Sequence, residues 1–490
     1  MGNGYHRGKD FFRQACSRNE NAQGNFVDKG KIISLLSFLL VFYLVSSCSN
    51  GKAEDKKKYY AEKNIQKKAN DSIPVLLCGT YFSNIKNLQS DSLKLLLEQG
   101  KVYCSPEIEK LLVQKLKLKK NPLVLSEGKK EFDNSDFLML CSIDSVDHRL
   151  LVISVDSVNF FKNPENYPLW VSSTQTNFNF NKEISSYTHT GVTAITRSTG
   201  RVLDKITVED YIKNVKPYFE KRDIVHISNE VSISDTCNYN TMKMRFATKP
   251  RDFEIIKLLN ANVIELTGNH NLDYGKAPYL NSLDWYRKNN MNYFGGGGDE
   301  SEAEKPLVKL LKDGKKAAWI GFNQNCPCNE CTDNSVFKIG ANHYESAKAQ
   351  KIITRLKNEE KVDYIIACVQ FGERDSYEPF EAQSKISKEL ILFGADVVVG
   401  SQAHQCQTIE IFNGKLIFHG LGNFLFDQIH REGVRQAFFL ECYFYKGKII
   451  QFQPVYTFMP LSRIPNLASP EEEKKIKSSI LIKANFKSKP

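Results

Sequence analysis

The sequence lacks the compositional extremes that mark disordered, collagen-like or polytopic membrane proteins, since 41% of its residues are hydrophobic and 25% are charged. It has no basic block interleaved with aromatic residues, so nucleic-acid binding is not favoured. It has no internal repeat of solenoid period. A chain of 490 residues is too long for a mini-protein held together mainly by disulfides. These absences leave a mostly soluble globular chain with two folded parts.

The net charge of +11 has two interpretations. It fits a protein that meets an anionic surface or substrate, but only weakly. On composition alone, a lysine-rich surface that is only solvated is the favoured interpretation.

The amino-terminal region has the pattern of an export signal. Lysines precede the apolar run at residues 32–45, and Ser46 and Ser47 then lead into Cys48. The run is too short to span a bilayer comfortably. This ending resembles a bacterial lipobox, which predicts a lipoprotein signal over residues 1–48, a lipid on Cys48 and a flexible tether over residues 49–72. The alternative is a buried core helix.

Three cysteines stand close together in a polar loop: Cys326, Cys328 and Cys331. A disulfide within the loop, a metal knuckle that recruits His343, and free thiols all fit this spacing. Other cysteines lie in apolar, strand-like runs and are predicted to pack as small hydrophobic side chains. They are Cys78, Cys141, Cys368 and Cys442.

The folded part divides by its pattern near residue 188. Residues 73–188 predict a small α/β domain, and residues 461–490 a helix and tail. From residue 191 strands and helices alternate regularly, which predicts a parallel or mixed sheet layered with helices over residues 189–460. Within this part, residues 208–219 predict one amphipathic helix, and Asn413-Gly414 predicts a type I′ hairpin.

Polar residues follow four of the predicted strands directly. In α/β sheets ligands collect beyond the carboxyl ends of strands, so four such ends predict one shared site. Taken singly, each residue has a structural explanation as a turn, cap or solvated side chain. The four segments are Ser228-Asn229-Glu230, Thr267-Gly268-Asn269-His270, Gln370-Phe371-Gly372-Glu373 and Ser401-Gln402-Ala403-His404.

These segments also carry a family resemblance. From about residue 191 to residue 458 the chain resembles the CapA-type capsule and poly-γ-glutamate synthesis proteins, whose fold resembles that of calcineurin-like metallophosphoesterases. The resemblance implies a layered β-sandwich flanked by helices. Residues 144–173 also resemble the end of periplasmic binding-protein-like domains. The matching stretches are Ser228-Asn229-Glu230, residues 267–275, Phe371-Gly372-Glu373, residues 394–400 and residues 420–427.

The resemblance implies roles for individual residues. A divalent cation would be held by Glu230, Asn269, Gln370 and His404. His270 and Glu373 would supply acid and base chemistry, and Arg197 would hold an anion by a forked contact. Asp273 and Gly275 would close a turn.

The chain also departs from the family pattern. The family has a Gly-Asp carboxylate ligand after its first strand, and this chain has Ala194-Ile195-Thr196-Arg197 there. A His is typical at the position of Gln370, and the family's His-rich turn is altered here at Ser401-Gln402. A site that has lost one carboxylate and two imidazoles holds one cation more weakly, which disfavours two-metal hydrolysis.

Two functions remain from the sequence. The first is a membrane-anchored envelope protein that performs cation-assisted hydrolysis or transfer on a phosphorylated or γ-glutamyl polymer. The second is a non-catalytic lipoprotein that binds or tethers an anionic surface polymer.

Overall fold

The computed structural model describes residues 72–125, 134–172, 178–240, 244–326 and 329–481. The predicted signal with Cys48, the tether up to residue 71, and Cys328 lie outside the described residues. No helix in the described ranges is long and apolar enough to cross a membrane.

Residues 72–172 form a six-stranded sheet around one central strand. The strand Ser72–Gly79 pairs antiparallel with Leu138–Ser142, Leu151–Val152 and Trp170–Ser172. Its residues from Val75 onward are buried, as expected of a continuous apolar run in a covered strand. The remaining strands of this sheet are Tyr103–Cys104 and Leu123–Val124. A separate two-stranded parallel sheet pairs Asn87–Leu88 with Ser154–Val155. The α-helices of this part are Ser90–Glu98 and Glu109–Leu116.

An eight-stranded mixed sheet begins at Ser185. Its parallel part runs Ser185–Thr193, Ile224–Asn229, Val263–Glu265 and Asn292–Phe294 in neighbouring order. The remaining strands are Asn423–Leu425, Gln436–Tyr445, Lys448–Phe458 and Asn466–Leu467.

A second, six-stranded sheet follows in the same region. Lys316–Asn323, Tyr364–Gln370, Val397–Ser401 and Lys415–Phe418 are parallel. Its two antiparallel strands are Leu307–Leu310, which pairs with Lys316–Asn323, and Ile409–Phe412, which pairs with Lys415–Phe418. Two small sheets are separate from it. One pairs Ser232–Ile233 with Ala247–Thr248, and the other pairs Gly296–Gly297 with Gly340–Ala341.

The helices of this region present an apolar stripe to the core. Ser346–Asn358, for example, buries Ala349, Ile352, Ile353 and Leu356, which lie on one helix face. The other helices are Phe180–Glu183, Arg197–Leu203, Val208–Ile212, Pro250–Leu258, Lys276–Lys288, Glu300–Glu304, Glu381–Phe393 and Pro470–Leu481.

Side chains from the two large sheets share one hydrophobic core. Trp319 of the six-stranded sheet donates a hydrogen bond from Nε1 to the Tyr187 hydroxyl of the eight-stranded sheet, at 2.9 Å. Both side chains are buried with Ile366 and Leu440 in the same cluster. The predicted mixed α/β class is confirmed, and the more specific layered metallophosphoesterase-like sandwich remains a prediction.

Two local predictions have opposite outcomes. Asn413 and Gly414 both have positive φ, 48° and 71°, and join two antiparallel strands as the hairpin prediction requires. The single helix over residues 208–219 is wrong, because the helix ends at Ile212 and a 3₁₀ turn, Lys216–Tyr218, follows. Pro217 lacks the amide hydrogen that an α-helix continued through this position would need, whereas the start of a 3₁₀ turn tolerates proline.

Candidate functional site

The strand ends converge as their order predicted. Gln370 donates a hydrogen bond from Nε2 to Asn269 Oδ1 at 2.7 Å, which joins the ends of strands from the two large sheets. His404 Nε2 lies 3.4 Å from Glu373 Oε1. Glu230 interacts electrostatically with His404 and His270, and Arg197 with Glu373. The seven predicted side chains therefore occupy one region, and their roles remain predictions.

Glu230 is the buried carboxyl group of this site. Its side chain is fully buried, and neither carboxylate oxygen has a hydrogen-bond partner in the described part of the chain. Burial raises the pKa of Glu230, although His404 and His270 act in the opposite direction. Gly268 allows this packing, since a Cβ there would lie 2.7 Å from Glu230 Cα.

His404 and Glu373 form an ion pair. His404 Nδ1 also lies 2.9 Å from Asn423 Oδ1, and Asn423 is oriented by its Nδ2, which donates to the Val434 carbonyl. Both ring nitrogens thus face acceptors, as in an imidazolium. Burial lowers the pKa of His404, but the contacts with Glu373 and Glu230 more than offset this and the pKa is raised. The hydrogen bond from His404 lowers the pKa of Glu373.

His270 is oriented by Asp273. Nδ1 of His270 lies 2.9 Å from Asp273 Oδ2, and the same oxygen accepts a hydrogen bond from the Phe246 amide at 2.6 Å. When Nδ1 donates to Asp273, Nε2 is an acceptor, and it lies 3.5 Å from Asn269 Nδ2. The sequence predicted only a turn-closing role for Asp273. Its spacing three residues after His270 on the same turn was the available signal.

Arg197 is fixed at the edge of the site by Asp427. Its Nη2 lies 2.6 Å from Asp427 Oδ1, while Asp427 Oδ2 accepts a hydrogen bond from the Ser198 amide. The guanidinium lies 4.3 Å from the centroid of the Phe246 ring, which permits a cation–π contact. Its Nε is buried and has no partner within the described ranges.

A cavity of about 430 Å³ opens beside Arg197. Three arginines reach it, and the Nε of Arg463, like that of Arg197, is buried without a hydrogen-bond partner among the residues described. Guanidinium groups suit carboxylate and phosphate ligands because they donate two parallel hydrogen bonds. The cavity lining is Arg197, Ser198, Arg201, Asp427, Gln428, Ile429, His430 and Arg463.

The predicted cation ligands fit a hard divalent cation in their chemistry. The Glu230 oxygens and Gln370 Oε1 are buried acceptors without partners in the described ranges, and oxygen ligands suit such an ion. Asn269 Oδ1 and the His404 nitrogens already have partners. Within the described ranges, no three histidine, cysteine, aspartate or glutamate side chains of this site bring their ligand atoms within 4.8 Å of one another.

The comparisons with known proteins agree with the sequence resemblance. Residues 185–428 match the family described as bacterial capsule synthesis protein PGA_cap. This part of the chain belongs to the CapA-type capsule synthesis family. The PGA biosynthesis protein CapA of Bacillus subtilis is 26% identical over 47% of this chain and 61% of its own length. The capsule biosynthesis protein CapA of Bacillus anthracis is 25% identical over 45% and 54%.

The chain spans less than two thirds of the length of each of these two curated relatives. Among solved structures, it is similar to the sulfate thiohydrolase SoxB of Thermus thermophilus, with 10% identity, a TM-score of 0.30, and coverage of 46% of this chain and 37% of that one. A likeness at this level supports no conclusion about function.

Two cysteine-containing features of the CapA-type region lie apart from the strand-end site. A disulfide joins Cys326 to Cys331, whereas Cys328 is outside the described residues. Cys368 lies in a buried group with His189, His226 and Glu265. The sequence predicts Cys368 only as a hydrophobic side chain, so this group was missed. The sequence signal for this group was that each of four apolar strands contains one histidine, glutamate or cysteine, namely His189, His226, Glu265 and Cys368.

Proposed function

We propose that this protein is a cell-envelope component that acts on an anionic capsule-type polymer, with poly-γ-glutamate as the polymer class. The names of its relatives support capsule or PGA biosynthesis as the process. The observation that carries the proposal is the pairing of an arginine-lined cavity with the His270, Glu230 and His404 cluster at the same strand ends. A polymer with one carboxylate per repeat fits a cavity that presents several guanidinium groups.

The cluster supports acid–base chemistry on such a polymer. Nε2 of His270, held by Asp273, accepts the proton of an attacking water or hydroxyl. Because both ring nitrogens of His404 face Glu373 and Asn423, a His404 imidazolium would act on the negative charge of the attacked carbonyl or phosphoryl oxygen through its electrostatic field rather than by a direct hydrogen bond. A divalent cation held by Glu230 and Gln370 would supply Lewis-acid polarisation of that oxygen. The leaving group departs with a proton returned from His270.

A second function, binding or tethering without catalysis, is favoured by a separate observation. Within the described ranges, Asn269 and His404 are engaged by Gln370, Asn423 and Glu373 rather than free to coordinate an ion. A site closed in this way lacks a preformed metal centre, whereas the neighbouring cavity keeps its three arginines for an anionic polymer.

The envelope location is part of the same proposal. The lipobox-like ending at Cys48 supports attachment to a membrane through a lipid, and the polar stretch after it supports a tether.

Turnover separates the two functions. Purified protein is incubated with poly-γ-glutamate with and without added divalent cations, and the chain length is followed by size-exclusion chromatography. The catalytic proposal predicts a change in chain length that is lost in His270→Ala and reduced about 10²-fold or more in Asp273→Asn, with His343→Ala as the control. Unchanged chain length with wild-type protein, or equal rates in His270→Ala, would leave only the binding function.

A further inference from the structure

Four titratable side chains meet between the two large sheets, away from the strand-end site. His189, His226 and Glu265 project from three neighbouring strands of the eight-stranded sheet, and Cys368 from the six-stranded sheet. We call these four residues the intersheet cluster. One ligand atom from each lies within 4.8 Å of the others.

The intersheet cluster is completely shielded from solvent. His226 and Cys368 have 0% exposure, and His189 and Glu265 have 2%. A buried thiol is common, but a buried imidazole or carboxylate is usually paired or bound to a metal. Glu265 has one such partner, since its Oε1 accepts a hydrogen bond from Thr267 Oγ1.

Hydrogen bonds inside the cluster leave it incompletely satisfied. Nε2 of His226 lies 3.1 Å from Glu265 Oε2, but neither ring nitrogen of His226 has a hydrogen bond in the described part of the protein. The His226 ring instead stacks on that of His189, with centroids 3.8 Å apart. An unsatisfied buried polar group destabilises the folded state, and a bound ion removes that cost when the group becomes one of its ligands.

The ligand chemistry identifies the class of ion. Thiolate, imidazole and carboxylate are the zinc ligands of proteins, and four of them complete a tetrahedral structural site. One thiolate and one carboxylate also balance the two charges of the ion, so the buried assembly would be neutral. Ligand atoms of a tetrahedral zinc site lie about 3–4 Å apart, since zinc–ligand bonds are about 2.0–2.3 Å. The ligand atoms of the cluster are therefore near the required spacing, and the stacked His189 and His226 rings would turn apart so that each meets the ion in its own ring plane.

The surroundings supply the outer contacts that metal-bound histidines use. Nδ1 of His189 is hydrogen-bonded to the Tyr187 hydroxyl, and when Nδ1 is the donor its Nε2 is left for an ion. The Tyr187 hydroxyl in turn accepts a hydrogen bond from Trp319 Nε1. Such partners fix the ring orientation and raise the ligand's basicity.

We propose that the intersheet cluster binds one zinc-class divalent cation through Cys368, His189, His226 and Glu265, and that this ion links the two sheets. The loss of the thiol proton accompanies binding, as it does in other thiolate sites. The proposal concerns a structural site distinct from the strand-end site, and it does not depend on the function proposed above.

Cobalt substitution tests this site directly, because only a thiolate ligand produces a sulfur-to-cobalt charge-transfer band. The full-length protein is produced in cobalt-containing medium and its absorption spectrum recorded. We expect the thiolate band, and one equivalent of cobalt with it, to be lost in Cys368→Ser and retained in Cys104→Ser. Cobalt held by the oxygen ligands of the strand-end site would give no thiolate band and would remain in Cys368→Ser. Cys104 is a buried, free thiol in the sheet formed by residues 72–172. Glu230→Gln should also retain the band.

Two further results decide the outcome if Cys368→Ser fails to fold. X-ray absorption of the wild-type metal should show one sulfur neighbour with nitrogen and oxygen neighbours. Folded wild-type protein without bound metal, or bound metal without a sulfur neighbour, would overturn the proposal.

Discussion

At the residue scale, Glu230 is a fully buried carboxyl group of the strand-end site, and its side chain has no hydrogen-bond partner among the described residues. Its raised pKa means that the folded protein binds this proton more tightly than the unfolded chain does. The stabilisation from protonated Glu230 is therefore present below its ordinary pKa of 4.5 and is lost as the pH rises through the folded-state value.

Glu230→Gln is predicted to remove the loss of folding stability that the wild type shows as the pH rises. At pH 8, in the presence of a chelator, the variant should be more stable than the wild type by about 1–3 kcal/mol, because an ionised buried group is replaced by a neutral one. At pH 4 the two proteins should differ little. Urea unfolding at both pH values measures the difference, with the exposed Glu359→Gln as control. Equal stability of Glu230→Gln and wild type at pH 8 would contradict the burial argument.

At the element scale, the site depends on strands that approach one another closely. A Cβ at Gly191 would lie 2.1 Å from the Gly422 carbonyl oxygen, between two paired strands of the eight-stranded sheet. Backbone cannot move aside as a flexible side chain can, so the strands must separate to accept any larger residue.

Gly191→Ala is accordingly predicted to lower the free energy of unfolding by at least about 2 kcal/mol. Gly372→Ala is a matched control, because its nearest atom would be a Phe380 side-chain carbon at 3.8 Å. Thermal or urea unfolding provides the measurement. A Gly191→Ala protein as stable as Gly372→Ala would show that the strands are not packed as described.

The elements that the sequence predicts well are those whose signals are local. The Asn413-Gly414 hairpin follows from the left-handed backbone that those two residues tolerate. The convergence of His270 with His404 follows from a general property of α/β sheets. The intersheet cluster could not be predicted in this way, since the approach of Cys368 to His189 depends on how two sheets pack, which strand periodicity does not specify. The Arg197–Asp427 pair likewise joins residues far apart in sequence.

At the scale of the whole molecule, the location of the protein depends on the amino-terminal region. If Cys48 carries a lipid, the full-length protein should fractionate with membranes, and Cys48→Ser should not mature normally. Cys16→Ser, which alters a cysteine ahead of the apolar run, is the control. Mass spectrometry of the amino-terminal peptide provides the readout. An unmodified peptide that continues through Cys48 would exclude the lipoprotein interpretation.

The central claim, that the arginine-lined cavity beside the strand-end site binds an anionic polymer, is tested most directly by poly-γ-glutamate binding. Fluorescence anisotropy would compare wild type with Arg201→Gln/Arg463→Gln, which removes two cavity arginines, and with Arg251→Gln/Arg287→Gln, which removes the same charge elsewhere. Circular dichroism would verify that each variant is folded.

The expected result is that the cavity variant binds about tenfold or more weakly than wild type, because each charge-assisted contact contributes well over 1 kcal/mol. The control variant should lose only the smaller, salt-sensitive part of the affinity. Equal weakening in both double variants, or no binding by the wild type, would contradict the account.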